Sequence, residues 1–346
     1  HQNPDLVKPA LGPKEPWAYR NKMQMPVGGT KGDIQIGFYA MGSHDIVQGT
    51  NCPIQDEGNN IIAQACYQIA KEFDIEPYDE HTGKGVLRHI IGRIGQSGWM
   101  IILVTATEQL PYKEKWVEKL TERIPQVETI VHNVNSKRTN VILGPKNNIL
   151  YGDGTITDHI KDLQFTLSPH SFFQVNPEQT TVLYDQALEY ADLKGDETVI
   201  DAYCGTGTIS LFLAHKAKHV IGIEIVEPAI INARENAQRN GYDNTEFIVA
   251  DAAVEMPKLY KAGVRPDVIV FDPIRAGCKE EVLTSAAGME PKRIVYVSCN
   301  PATMARDIEI LTHYGYELQE VQPVDMFPMT AHVEAVALLT RNEVTQ

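Results

Sequence analysis

Cysteine is scarce in this chain: five in 346 residues, at 52, 66, 204, 278 and 299, with no CxxC pair and no regular spacing. That scarcity excludes a disulfide framework and a cysteine-rich zinc centre, so no metal is expected, and it points to a reducing cytoplasm. Long apolar runs are missing as well; none approaches the roughly 18 residues that a membrane span needs. The start shows no charged segment followed by an apolar one of the secretory kind. It begins at His1 rather than Met, which leads us to expect a cut or processed N-terminus. Positive charge is also short, with 31 Lys and Arg against 45 Asp and Glu, a net charge of −14. Residues 1–165 are nearly balanced, at 17 against 19, whereas residues 166–346 hold 14 against 26. Phosphate repels so acidic a half, which excludes indiscriminate nucleic-acid binding and directs any selective contact to the N-terminal half.

What is present falls into two patterns without repeats or low-complexity runs. In residues 1–165, Pro- and Gly-rich stretches give way to IQIGFYA, a strand, and NIIAQACYQIAKEF, with apolar residues at helical spacing. VLRHIIGRIG and WMIILVTA read as paired strands, EKWVEKLTERI as an amphipathic helix, and VETIVHNVN and TNVILG as strands again. This is an α+β domain. Residues 166–346 alternate regularly: ETVIDAY, HVIGIEI, EFIVAD, DVIVFD and RIVYVSC as strands, with TISLFLAHKA, EPAIINARENAQRN, CKEEVLTSA and PATMARDIEILTHY as helices. Alternating units of this kind make an α/β, doubly wound, Rossmann-like domain. ELQEVQPVDMF and HVEAVALLT lack an intervening helix and are expected to close it as an antiparallel hairpin.

DAYCGTGTIS (201–210) is a strand running into a glycine turn and a helix. Gly205 and Gly207 let the backbone approach a ligand at a helix N-terminus. The third glycine of a dinucleotide fingerprint is absent. Glu224 ends the next strand, 19 residues on, where a carboxylate can hold two ribose hydroxyls. Asp251 and Asp272 follow the third and fourth strands, and each alone is as readily a helix cap. Together, and with no phosphate-binding lysine, these residues favour S-adenosylmethionine.

Cys299 ends the RIVYVS strand, with Asn300 as N-cap and Pro301 at the first helical position. Helix amides there would lower a thiol's pKa. The ordinary alternative is a structural cysteine, the reading taken for Cys52, Cys66, Cys204 and Cys278.

SCNPATMARD (298–307) resembles the nucleophile motif of the bacterial RNA (uracil-5-)-methyltransferases. SFFQVNPEQ (171–179), DAYCGTGTISL, FDPIRAG (271–277) and HVEAVALL (332–339) are similar to that family's other motifs, in the same order. The likeness extends to PWAYRNKMQMPVG (16–28) and is strongest to Gram-positive-type enzymes acting on 23S ribosomal RNA. It implies a class I methyltransferase domain over 166–346 and an α+β RNA-binding domain over 1–165. It also implies that Cys299 attacks uracil C6, that Glu334 removes the C5 proton, and that Asp272 hydrogen-bonds the uracil beside the cofactor. A carboxylate in an apolar strand has a raised pKa, which suits the base. The resemblance further assigns Gln174, Tyr203, Glu224 and Asp251 to the cofactor. Tyr203 packs near the methionine moiety or fills the core. Phe173, like Phe172, stacks on a flipped base or fills the core, and Arg275 orients its loop, contacts RNA or makes a salt bridge. The expected partner is single-stranded or bulged RNA from which a uridine is flipped, with neither DNA nor a membrane involved.

The chain departs from the family pattern at Ile274, where a second small residue or proline is usual. Relatives often hold an iron–sulfur cluster on four cysteines, of which only Cys52 has a counterpart, so no cluster is expected. The small N-terminal β-barrel of relatives is missing, which suggests a truncated form retaining the catalytic core. Three other readings stay open: a tRNA uracil-5-methyltransferase, an exocyclic-amine methyltransferase using Asp272-Pro273, and an RNA-binding or RNA-folding factor with a vestigial site.

Overall fold

The computed structural model describes residues 3–342; the terminal residue that suggested a cut chain, His1, lies outside them. Two compact units emerge, one of residues 15–159 with 165–171, the other of residues 1–14, 160–164 and 172–346.

In the first unit the strands are β1 (Lys22–Thr30), β2 (Asp33–Tyr39), β3 (Ile46–Gln48), β4 (Leu87–Ile94), β5 (Trp99–Thr105), β6 (Val127–Val134) and β7 (Lys146–Tyr151). Two helices accompany them, α1 (Glu57–Glu72) and α2 (Lys113–Arg123). The strands form one sheet in the order β3-β2-β1-β4-β5-β6-β7. Every pairing is antiparallel except β5 with β6, and that pair is the one joined by a helix, α2, as a parallel crossover requires. Ile62, Cys66 and Ile69 recur on one face of α1 and pack in a core with Met23, Ile36, Ile90, Leu103 and Trp116. The expected strand TNVILG does not form. Its backbone is held instead by side-chain amides of and just after β6: Asn135 Nδ2 donates to the Val141 and Ile142 carbonyls, and Asn133 bonds both the N–H and the carbonyl of Gly144. Local amide bonds of this kind compete with a ladder. The strand lies just beyond, as β7.

A two-stranded ribbon, β8 (Ile156–Ile160) with β9 (Leu163–Leu167), carries the chain onward. The second unit contains α3 (Pro177–Ala191), β10 (Thr198–Ala202), α4 (Thr208–Ala214), β11 (His219–Glu224), α5 (Glu227–Arg239), β12 (Thr245–Val249) and α6 (Ala252–Lys261). It continues with β13 (Val268–Phe271), α7 (Glu280–Gly288), β14 (Arg293–Ser298), α8 (Pro301–His313), β15 (Tyr316–Val324) and β16 (Glu334–Arg341). The sheet order is β12-β11-β10-β13-β14-β16-β15. Strands β10 to β14 are parallel, and β16 enters antiparallel between β14 and β15. This is the α/β, doubly wound, Rossmann-like class I arrangement with a terminal hairpin, accompanied by an N-terminal α+β unit. The helices α3 and α6 were not read from the sequence; α6 carries Pro257 in its interior, which interrupts the helical signal.

A single boundary near residue 165 does not describe the chain. Residues 3–14 group with the second unit, where Val7 and Leu11 extend the sheet beyond β15. The Lys8 and Leu11 N–H groups donate to the Val321 and Pro323 carbonyls (2.9 and 3.0 Å). The Asp325 N–H donates back to Leu11 (2.9 Å), and the Gln322 amide donates to the Pro9 carbonyl (2.8 Å). A chain starting at Glu15 loses these bonds and bares the β15 edge. It should be less stable by about 2–4 kcal/mol in urea unfolding of the second unit.

Candidate active site

Strand order turns at β10, whose neighbours are β11 on one side and β13 on the other, and open sheets bind ligands outside strand carboxyl ends at such a point. Here β10 ends in Asp201-Ala202, β11 in Glu224, β13 is followed by Asp272 and β14 by Cys299. Because β16 runs the other way, its first residue lies at the same edge. Ser298 pairs with Ala335, so one step further Cys299 faces Glu334. Register therefore brings together a thiol and two carboxylates that are 27 to 62 positions apart in sequence.

Their mutual fields are visible in their protonation. Burial pushes the Glu334 carboxyl up to about 7, with Arg275 opposing. Glu334 is 5% exposed, and its carboxylate has no hydrogen-bond partner among the described residues. Asp272 is raised well above the usual carboxylate range by loss of water, then by Glu334 and Asp201. Cys299, half-buried, is raised by burial and then by Glu334 and Asp272, while Arg275 favours its thiolate. This corrects the expectation of a thiol acidified by helix amides: α8 does begin there, capped by Asn300 Oδ1 on the Ala302 N–H (3.2 Å), but burial and then two carboxyls raise the thiol.

The glycine turn adopts left-handed backbone at Tyr203, Gly205 and Gly207 (φ 88°, 55° and 80°). A side chain at Gly205 would meet only open space, so the turn faces a vacant approach rather than packed protein. Glu224 accepts the N–H groups of Gly205 (3.2 Å) and Val226 (2.9 Å), which fixes its carboxylate beside that approach. Asp201, missed in the sequence reading although it opens DAYCGTG, is fully buried. Ser210 donates to its Oδ2 (2.5 Å), Oδ1 has no partner, and burial raises its carboxyl to about 7. An orphaned acceptor beside an open glycine turn and a ribose-type acid fits a cofactor bearing an ammonium group and a ribose.

The other predicted residues divide. Gln174 lies in the 172–176 segment, which is pinned at both ends: Thr206 Oγ1 reaches the Phe172 carbonyl (3.5 Å) and Asn176 Nδ2 the Met326 carbonyl (3.0 Å). Phe173 is buried in the core, whereas Phe172 is 71% exposed, so the ring free to stack is Phe172. Asp251 is a helix cap, accepting from Ala253 N–H (2.9 Å) and from Lys279 Nζ (2.8 Å). Tyr203 is half-buried with its hydroxyl toward Cys278. Among the described residues no group of three or more His, Cys, Asp or Glu is placed to hold a metal ion. Nor is any described helix long and apolar enough to cross a membrane.

A sheet of this order with acids at its switch point defines a class I methyltransferase. A family model described as tRNA (Uracil-5-)-methyltransferase matches residues 102–342. RNA methyltransferases of Halalkalibacterium halodurans and Oceanobacillus iheyensis, both described as uncharacterized, are each 53% identical over 96% of this chain and 73% of their own length. The crystal structure of Pyrococcus abyssi tRNA (uracil-54, C5)-methyltransferase with S-adenosyl-L-homocysteine superposes with a TM-score of 0.80. It is 29% identical, over 96% of this chain and 78% of that one. The chain belongs to the tRNA (uracil-5-)-methyltransferase family. It is an S-adenosylmethionine-dependent RNA (uracil-C5)-methyltransferase.

The Glu334 carboxyl ionises near 7 in the fold and near 4.5 when unfolded. An acid whose folded pKa is raised costs stability as pH climbs between those values. Glu334→Gln should therefore gain stability over the wild type as pH goes from 5 to 8. The gain should be about 1–3 kcal/mol, read as a pH-dependent difference in thermal midpoint, together with loss of turnover.

Proposed function

We propose that the protein converts a specific uridine of 23S ribosomal RNA to 5-methyluridine, with Cys299 as nucleophile, Glu334 as base and Asp272 as uracil-binding acid. The observation that carries this reading is the meeting of Cys299, Glu334 and Asp272 at adjacent strand ends. Uracil C5 is too weak a nucleophile to take a methyl group unaided. The Cys299 thiol loses its proton to solvent, and its sulfur adds to C6, moving the ring's π electrons onto C5 and O4. Arg275 favours this anion, and the Asp272 carboxyl, its pKa raised by burial, can when protonated donate a hydrogen bond to the developing enolate oxygen. When bound, S-adenosylmethionine would supply the electrophilic methyl to C5, the S–CH3 bond breaking to leave S-adenosylhomocysteine. The Glu334 carboxylate then accepts the C5 proton. The C5–H electrons re-form the C5=C6 bond, and sulfur leaves as thiolate. A base with a pKa near 7 is suited to that transfer. Asp201, with Glu224 and the Gly205 turn, would hold the cofactor, with Gln174 beside them.

We assign RNA backbone contact to the 15–159 unit. Lys22 of β1 is the register partner of Arg93 of β4, and the two like charges lie with Arg20 nearby. Neither Arg20 nor Lys22 makes an ion pair among the described residues. Burial, then Arg93 and Arg20, lowers the Lys22 ammonium to about 7, so a phosphate would relieve the crowding. Ribosomal RNA is favoured by the resemblance to Gram-positive-type enzymes. Transfer RNA is the second reading, favoured by the name of the Pyrococcus abyssi enzyme.

Cys299→Ala should abolish methylation while leaving S-adenosylmethionine binding within about twofold, measured by calorimetry and tritium transfer. Unchanged turnover would rule out the thiol route. Mass mapping of 5-methyluridine in a strain lacking the gene should show loss in 23S RNA; loss confined to tRNA would move the assignment there.

A further inference from the structure

Asp307 is fully buried and takes no part in the chemistry above, yet its carboxylate is the most heavily bonded group near the site. Oδ2 accepts the Cys278 N–H (2.7 Å) and the Tyr296 hydroxyl (2.6 Å). Oδ1 accepts Arg306 Nε (2.8 Å) and Nη2 (2.6 Å). That same Arg306 nitrogen reaches the Ala276 and Cys278 carbonyls (3.0 and 3.4 Å). Two further groups of the α8 start, Asn300 Nδ2 and Thr303 Oγ1, converge on the Arg275 carbonyl (3.0 and 3.2 Å). The loop closes on itself through Gly277 N–H to the Ile274 carbonyl (2.8 Å).

Three features mark this as a built clamp. Gly277 has φ 79°, and a Cβ there would sit 2.5 Å from Arg306 and 2.6 Å from Asp307. No side chain fits between loop and helix. Tyr296, one of the donors, lies three residues before Cys299 and packs against Phe271, the residue before Asp272. The Cys278 thiol bonds the same Tyr296 hydroxyl (3.6 Å) and lies beside Tyr203 of the glycine turn.

We propose that Asp307 is a positioning residue that locks the Asp272–Cys278 loop onto the first turns of α8. It thereby fixes the Asp272 carboxyl relative to the Cys299 sulfur. Sheet register alone leaves the seven residues after β13 free; the clamp converts them and the nucleophile's own helix into one rigid piece. The inference rests on the roles given above to Cys299 and Asp272. A misplacement of about 1 Å at a reacting pair costs on the order of a hundredfold in rate, so the clamp matters most in the covalent step.

Asp307→Asn places an amide N–H₂ where one pair of donors now points. The test compares wild type and variant for kcat, for KM of S-adenosylmethionine, and for the rate of adduct formation between Cys299 and 5-fluorouridine RNA. The expected result is a fall in kcat and in adduct rate of about ten- to a hundredfold, with KM for S-adenosylmethionine held within about twofold. Gly277→Ala, which pries the clamp from the loop side, should give the same signature and serves if Asp307→Asn fails to fold. An adduct forming at the wild-type rate in both folded variants overturns the clamp. Failure of the wild type itself to form an adduct overturns the Cys299 reading instead, so the two failures are distinguishable.

Discussion

The antiparallel insertion of β16 between β14 and β15 is the constraint on which the site depends. A further parallel strand would present its carboxyl end at this edge, and Glu334, the first residue of β16, would lie at the far side of the sheet. Reversal puts it opposite Cys299. The hairpin that achieves this is short and local, but it joins residues from either side of α8. Loss of the Ser298–Ala335 pairing by one position would turn Glu334 to the other face.

Concentrating Asp201, Asp272 and Glu334 at one edge has an electrostatic cost, visible as three carboxyls raised far above their ordinary range. Arg275, which is exposed, opposes the rise at Glu334 and Cys299, and the Ser210 hydroxyl opposes it at Asp201. The acids are tolerated because the sheet over-determines their positions and because the Asp272 loop is tied down from α8. This is an instance of strain held in place by surrounding structure rather than relieved.

Much of the second unit was legible because parallel strands covered on both faces read as unbroken apolar runs, as VIVF of β13 and IVYV of β14 do. The hairpin was legible from the missing helix. TNVILG misled for the same reason: its apolar run carries no sign that Asn133 and Asn135 will claim its backbone. The membership of residues 1–14 in the second unit could not be read, since it is a pairing across more than 300 positions. Among site residues, the local signals at Gly205, Glu224 and Cys299 were readable from strand–turn–helix context. The upward pull on Cys299 was not, because Glu334 and Asp272 reach it only through register. Phe172 and Phe173 are adjacent aromatics whose opposite exposures only packing decides. Asp307 stood in plain view in MARD, but a buried hub is defined by its donors, which come from Tyr296, Arg306 and the backbone of Cys278.

A sulfhydryl flanked by two carboxyls and kept uncharged has a further consequence for the life of the enzyme. Oxidants and alkylating agents react with the anionic form, so a raised thiol pKa lowers the fraction of this sulfur open to peroxide. The burial and the acids that hold this thiol's pKa up thus also slow its oxidation.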